Sequence, residues 1–220
     1  MGKGADGQGK KPIFKRWWFW VIVVLVVFGV AGGAGSGGSS SGDQSGQSGQ
    51  VQSQQAESQQ AAPKPEDDPD VPVENRNALR KARTYSDAMH MSKQAIYDQL
   101  TSEYGEQFPA EAAQWAVDNL DADWNANALA KAETYSDDMH MSYRGIYDQL
   151  TSEDGEKFTP EQAQYAVDNV QADWNANALA KAQSYQETMS MSTEAIRDQL
   201  VSDYGEKFTP EQADYAIQNL

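Results

Sequence analysis

The sequence predicts an all-α protein: a tandem array of three small three-helix (helix-turn-helix-like) repeats that follows a single transmembrane helix and a disordered linker. One observation behind this is a recurring motif, since Tyr85-Ser-Asp-Ala-Met-His-Met-Ser92 returns in similar form at 135–142 and 185–192. Aligning residues 77–126 with 127–176 gives 36 identities in 50 positions. A fixed period of this length is typical of stacked supersecondary units. The other observation is an uncharged apolar stretch near the N-terminus.

Composition changes along the chain divide it into six segments. These are a basic cytoplasmic tail, a transmembrane helix, a disordered linker and three helical repeats, the third truncated, at residues 1–16, 17–35, 36–74, 75–126, 127–176 and 177–220. The chain has no Cys, which excludes disulfides, thiolate metal sites, a Cys nucleophile and a lipid-modified Cys.

The apolar stretch from Trp17 to Ala34 contains no charged residue. In a helix its 18 residues rise ~27 Å, close to the ~30 Å thickness of the hydrocarbon core. The Lys and Arg residues at 10–16 place that end in the cytoplasm, so the repeats would be extracellular on a single-pass protein of the cell membrane. A signal peptide cut within Ala31–Ala34 is the other interpretation. We favour the uncleaved anchor.

Residues 36–74 are dominated by Gly, Ser and Gln and end in a Pro-rich acidic stretch. Such a composition cannot form a core, so a disordered linker is predicted. A coil of this length spans about 35 Å and reaches ~140 Å when taut. The linker would therefore hold the repeats away from the bilayer.

Apolar spacing predicts the first two helices of each repeat. In the first copy a helix from about residue 75 to 89 would bury one face formed by Ala78, Ala82, Tyr85 and Met89. Ser92 is a suitable N-cap for a second helix over 93–103, which would bury Ile96 and Leu100.

Gly and Pro predict where the second helix ends and the third begins. Glycines at 105, 155 and 205 fall where the second helix should end in a left-handed residue. Thr159-Pro160-Glu161 and its copy at 209–211 suit the start of a third helix, with a core face formed by Phe158, Ala163, Ala166, Val167 and Val170. Trp124 and Trp174 are predicted to fill the joints between repeats, across either a tight turn or a near-continuous helix.

Charge limits the possible partners. Residues 57–220 carry 12 Lys/Arg against 31 Asp/Glu, a net charge of −19. Such a domain repels phosphate backbones, so we expect no nucleic-acid binding and a cationic or neutral partner. No catalytic or phosphate-binding motif is present, so neither enzymatic activity nor a cofactor is predicted.

Two segments resemble metal sites but have simpler explanations. Met89-His90-Met91 offers soft ligands suited to copper, yet Met at helical spacing is usually part of a core. The acidic stretch 121–127 imitates the start of a calcium loop, but Ala126 and Ala132 stand where Gly and Glu are required. Turn and capping roles explain that stretch better, so no metal site is predicted.

Charged residues that are identical in all three copies are the candidate partner-binding residues, because packing alone does not require them. They are Lys81, Asp98, Glu106, Lys131, Asp148, Glu156, Lys181, Asp198 and Glu206. Recent duplication combined with helix capping is the alternative explanation for their recurrence.

Several motifs occur in a fixed order, beginning at Leu129 (Leu-Ala-Lys-Ala-Glu-Thr-Tyr-Ser), Met139 (Met-His-Met-Ser), Tyr147 (Tyr-Asp-Gln-Leu-Thr-Ser-Glu) and Phe158 (Phe-Thr-Pro-Glu-Gln-Ala). In these the chain resembles the host cell surface-exposed lipoprotein (Ltp) family over roughly residues 75–220. The resemblance implies small helical repeats on the outer face of the membrane of Gram-positive bacteria. It also implies superinfection exclusion, in which prophage-encoded members act on the injected tail machinery of a phage and stop its DNA from entering. The lipid-bearing Cys of the family is missing, and the apolar segment stands in its place.

Two hypotheses follow. The first is a membrane-anchored surface protein that binds a phage tail or injection protein and blocks DNA transfer. The second is a structural or adhesive module that binds cell-wall polymer or a host factor and has no role against phage.

Overall fold

A computed structural model of the protein describes residues 65–220. Within this range a single 3-10 turn at Pro65–Asp67 is followed by nine α-helices and no strands. The helices form three groups of three: α1 Val73–Met89, α2 Lys93–Thr101, α3 Ala110–Asn119; α4 Trp124–Asp137, α5 Tyr143–Thr151, α6 Pro160–Asn169; α7 Trp174–Met189, α8 Thr193–Val201, α9 Pro210–Gln218. The predicted all-α repeat array is confirmed.

The predicted membrane helix at 17–35 and the linker up to residue 64 lie outside the described residues. Residues 65–74, also assigned to the linker, contain the 3-10 turn and the start of α1 at Val73, so regular structure begins before the predicted boundary at 75. Among the helices between 65 and 220, none combines the length and apolar character needed to cross a bilayer.

Side-chain caps fix where the helices begin. Ser92 accepts a hydrogen bond from the backbone N–H of Ala95 at 3.1 Å, as predicted, and Ser142 and Ser192 cap their helices in the same way. Thr159 forms a capping box with Gln162, ahead of Pro160 at the first helical position. Asp123 and Asp173 cap α4 and α7, which confirms the capping explanation of the acidic stretch at 121–127.

Each repeat has its own apolar core. Ile96 and Leu100 are fully buried. The predicted core face of the third helix in the second repeat is also buried, at Phe158, Ala163, Ala166, Val167 and Val170. Trp124 is the first residue of α4 but packs against the core of the first repeat, and Trp174 packs in the same way against the second. Their predicted position between neighbours is confirmed. The chain crosses each joint in a short extended turn and not as a continuous helix.

The predicted role of the glycines is wrong. The second helix ends at Thr101, two residues before the predicted end, and Ser102 follows in an extended conformation. Gly105 is needed for space: a Cβ there would lie 2.3 Å from the carbonyl oxygen of Gln99. The left-handed residues are instead His90 and Gln107 with their counterparts, at φ between 49° and 60°.

Met89 does not belong to the core as predicted, since 44% of its surface is exposed. The helix ends there in a left-handed (αL) cap, in which His90 N–H donates to Ser86 O, and Met91 N–H then donates to Tyr85 O. This reversal turns Met91, and not Met89, onto the core. His90 is thus the left-handed residue of a helix end, a position that His tolerates better than most residues.

Candidate functional site at the repeat joints

Six of the nine candidate residues form three equivalent ion pairs, one inside each repeat. The Lys of the first helix reaches the Glu of the loop before the third, at 3.0 Å for Lys81–Glu106 and 3.3 Å for both Lys131–Glu156 and Lys181–Glu206. A tyrosine hydroxyl donates to the same carboxylate, as Tyr85 does to Glu106 at 2.6 Å. These groups hold the loop that contains the glutamate against the first helix.

The shared hydrogen bond shifts the pKa of both partners. Bonds from Tyr85 and Lys81 lower the pKa of Glu106. Burial, followed by the bond to Glu106, raises the pKa of Tyr85 to about 12. Burial and the equivalent bond to Glu206 raise the pKa of Tyr185 to about 12. The more deeply buried Tyr135 also has a raised pKa. At neutral pH the Tyr85 hydroxyl therefore stays protonated while the Glu106 carboxylate is ionised.

The loop held in this way reaches the preceding repeat at two adjacent residues. The hydroxyl of Ser92 donates to the carbonyl oxygen of Glu156 at 2.6 Å. The next residue, Lys157, forms an ion pair with Asp98. Lys157 has a left-handed backbone with φ of 58°, an uncommon conformation for a residue with a side chain. With the backbone in this conformation, the Glu156 carbonyl contacts Ser92 at the start of α2 while the Lys157 ammonium contacts Asp98 on the same helix.

A buried asparagine completes the joint. The Asn127 side-chain amide donates to the hydroxyl of Ser86 at 2.9 Å and to the carbonyl oxygen of Met91 at 3.1 Å. Asn127 is 7% exposed and Ser86 is 2% exposed, so both hydrogen bonds are shielded from water. Polar groups buried in this way are costly unless paired, which fixes the register between the two repeats.

The joint between the second and third repeats has the same design. Asn177 donates to Ser136 at 3.0 Å and to the carbonyl of Met141 at 3.1 Å. Ser142 donates to the carbonyl of Glu206 at 2.5 Å, and Asp148 pairs with Lys207. An exposed pair between Arg144 and Asp203 at 2.7 Å is added here.

The third repeat presents the same face to solvent. Ser192 and Asp198 are exposed, whereas Ser92 and Ser142 are each only 1% exposed. Among residues 65–220, no side chain forms a hydrogen bond or ion pair with the Asp198 carboxylate; its charge interacts with the neighbouring Arg197, which is itself paired with Asp214 at 2.6 Å. Gln186 stands at the position of Ser86 and Ser136 and is exposed.

The opposite end of the array is closed by the segment before α1. Glu66 is 8% exposed, forms an ion pair with Arg83 at 3.0 Å and accepts a hydrogen bond from Arg80 on its carbonyl oxygen at 2.9 Å. Gln107 occupies the position of Lys157 and Lys207, with the same left-handed backbone at φ of 58°.

The described residues contain little else that resembles a ligand site. A shallow groove at the first joint is lined by Lys93, Tyr97, Gln114 and Lys157, and Lys93 already pairs with Asp118 at 2.7 Å. Within residues 65–220 no group of three or more His, Asp or Glu side chains could hold a metal ion. The arrangement can recognise lysine and backbone groups by hydrogen bonding and charge.

Sequence reasoning missed half of each joint. The N-cap pattern predicts that Ser92 accepts a hydrogen bond, but it does not predict that the same hydroxyl donates its proton to the next repeat. The substitution of Gln107 by Lys in the later copies was a visible signal, because it separates the outer copy from the two that have a preceding neighbour. Asn127 gave no such signal, since Asn77, its exposed counterpart, is identical.

Comparison with known proteins gives one family and one solved structure. The sequence profile of the family described as host cell surface-exposed lipoprotein matches residues 73–120, 123–170 and 173–220. The chain is also similar to a protein whose structure is described as Ltp, a superinfection exclusion protein from the Streptococcus thermophilus temperate phage TP-J34. Identity is 48%, the TM-score is 0.40, and the match covers 44% of this chain and 94% of that one. A search of the curated proteins finds no match.

Proposed function

Because this chain belongs to the family of host cell surface-exposed lipoproteins, we propose that it is a membrane-anchored surface protein that blocks the transfer of phage DNA into the cell. The observation that carries the proposal is the family match, which recurs three times between residues 73 and 220. Superinfection exclusion is the role that the family resemblance implies. The chain would act by binding a phage tail or injection protein and not by catalysis.

The charge of the repeats supports a cationic partner. Residues 57–220 have a net charge of −19. The lysines at 81, 131, 157, 181 and 207 are all engaged in ion pairs within the array, so they do not form a free basic patch. A surface of this kind attracts positively charged proteins and repels nucleic acid, because long-range electrostatics accelerate the encounter of opposite charges.

The proposed anchor is the apolar segment at 17–35, with the N-terminus in the cytoplasm and the repeats outside. The cysteine-free sequence allows a direct test with single cysteines. Cysteine at Tyr204, which is fully exposed, should react with a membrane-impermeant maleimide in intact cells. Cysteine at Gly4 should react only after lysis. The reverse pattern would contradict the orientation.

The functional test is phage challenge of matched strains with and without the gene. We expect equal adsorption of phage to both strains and less phage DNA inside the cells that carry the gene, because the proposed step follows adsorption. Equal transfer of DNA into both strains, with the protein present at the surface, would rule the function out.

A second candidate function is adhesion to cell-wall polymer, which two exposed aromatic residues favour. Tyr104 and Tyr204 lie in equivalent turns and are 82% and 101% exposed. Exposed Tyr is common at binding surfaces because it combines an apolar ring with a polar hydroxyl. If this function applies, the protein should co-sediment with purified cell walls, and Ser at both positions should reduce the bound fraction. Co-sedimentation that is unaffected by the two substitutions would reject the tyrosines as the binding site.

A further inference from the structure

We propose that the open face of the third repeat is a binding site for a lysine-bearing segment of a partner protein, held by Ser192 and Asp198. The Ser192 hydroxyl would donate to the backbone carbonyl of one partner residue. The Asp198 carboxylate would pair with the ammonium group of the lysine that follows it. This inference rests on the proposed binding function and specifies its site and the chemistry of its partner.

The array itself shows how such a face is filled. In the first joint the Ser92 hydroxyl donates to the carbonyl oxygen of Glu156, and the Asp98 carboxylate pairs with the ammonium group of Lys157. The second joint repeats this with the serine and aspartate fifty residues later and the dipeptide Glu206-Lys207. The same pair of groups thus receives the same two-residue ligand twice.

The third face is formed in advance of binding. Ser192 has φ of −70° and ψ of 154°, against −70° and 159° for Ser92, and its side chain accepts from the N–H of Ala195 in the same capping bond. That bond uses a lone pair of the hydroxyl oxygen and leaves its proton free to donate, as it does at Ser92. Asp198 lies on the following turns of the same helix, as Asp98 does on α2. No rearrangement of the backbone is needed to receive a ligand.

A second copy of this chain does not fit the site. The first repeat, which would have to dock there, carries Gln107 in place of the lysine, so it cannot form the ion pair with Asp198. Lys157 and Lys207 are already paired inside the array. Gln186 also replaces the small serine that accepts the asparagine amide in both joints. The third repeat therefore keeps the two groups that would bind a lysine and a backbone carbonyl. It lacks the serine that accepts the asparagine amide of a following repeat.

The test uses the full-length, isotope-labelled chain in detergent micelles and a nonapeptide with the sequence of residues 152–160, which contains Glu-Lys. Titration should shift the backbone NMR signals of Ser192 and Asp198 in a saturable manner. A peptide with Gln in place of Lys reproduces Gln107 and should bind about two- to fivefold more weakly, the range expected for a partly exposed ion pair. Asp198→Asn should weaken the Lys peptide by a similar factor and leave the Gln peptide unaffected.

Glu211→Gln, which removes one negative charge elsewhere in the third repeat, is the matched control and should leave both affinities unchanged. Equal binding of the Lys and Gln peptides, or equal effects of the two protein variants, would overturn the site. If the chain self-associates in the absence of peptide and Asp198→Asn abolishes this association, the occupant is a second copy of the chain. That result would also overturn the proposed site. The titration needs no phage, so the two proposals can fail separately. If the peptide binds through Asp198 but the chain does not reduce phage DNA transfer, only the proposed function is refuted. Protection without such binding would refute the site alone.

Discussion

Replacing Asn127 by Ala should weaken the joint between the first two repeats without disturbing either core. The Asn127 amide supplies both hydrogen bonds to Ser86 and to the carbonyl of Met91, at 2.9 and 3.1 Å. Alanine keeps the helix and removes only these donors. It leaves a buried carbonyl oxygen without the partner that the native joint provides.

The expected cost follows from the number and burial of the lost bonds. A neutral hydrogen bond contributes about 1 kcal/mol net, and leaving a buried acceptor unpaired costs about 1–3 kcal/mol. With two bonds lost at a site where Asn127 is 7% exposed, we expect the free energy of unfolding to fall by about 2 kcal/mol. At a typical slope of about 2 kcal/mol per molar urea, the midpoint should move by about 1 M.

The assay is urea unfolding of the full-length protein, followed by circular dichroism. Asn177→Ala, which breaks the same two contacts at the second joint, should give a similar shift. Asn77→Ala is the matched control: it lies at the same repeat position but is exposed, so its effect should stay within about 0.5 kcal/mol. If Asn77→Ala costs as much as Asn127→Ala, the joints do not stabilise the array in the way described.

Three further predictions concern single residues. Gly155→Ala should lower the free energy of unfolding by about 1–3 kcal/mol, because its Cβ would lie 2.5 Å from the carbonyl oxygen of Gln149; an unchanged urea midpoint would show that the turn can adjust. Gly145→Ala should instead stabilise the protein by about 0.5–1 kcal/mol, because it removes a helical glycine at a position where the other repeats carry alanine; a lower midpoint would contradict this. Stability should fall as pH rises from 10.0 to about 12, because the raised pKa of Tyr85 makes the folded state hold a proton that the unfolded state loses. Tyr85→Phe should make this part of the pH profile shallower, because Tyr135 and Tyr185 still contribute, and an identical profile for the variant would count against the Tyr85–Glu106 bond.

Local signals predicted the helices well. Ser92, Thr159 and Asp123 act as caps because a side-chain oxygen next to the first turn satisfies a backbone N–H whatever the tertiary context. Ile96 and Leu100 are buried because a short amphipathic helix has only one face to offer. These features depend on neighbours within a few residues, so they can be derived from the sequence.

Features that depend on the path of the chain could not be derived in this way. Spacing placed Met89 on the core face, but the helix ends there and the chain reverses at His90, so the next methionine takes its place. Residue type predicts the left-handed conformation at Gly105, whereas it occurs at Gln107, and the glycine instead avoids a steric clash with Gln99. Both differences arise at helix ends, where the direction of the following segment decides the outcome and neither helical spacing nor residue type encodes that direction.

The repeated charges point to residues that form ion pairs within and between repeats, but they do not show which groups pair, and binding of an outside partner by these residues stays a prediction. Lys81 and Glu106 pair within one repeat, while Asp98 pairs with a lysine 59 residues away, and no local pattern distinguishes these cases. Asn127 illustrates the limit most clearly. It is identical to the exposed Asn77 and becomes buried only because another repeat precedes it.

The most direct test of the proposed function is the amount of phage DNA that reaches the cytoplasm after adsorption. It is measured in cells without the gene and in cells with equal surface amounts of the native chain, the Asp198→Asn variant or the Glu211→Gln variant. We expect the native chain and Glu211→Gln to reduce DNA transfer and Asp198→Asn to restore part of it. Equal DNA transfer in cells with and without the native chain would contradict the account.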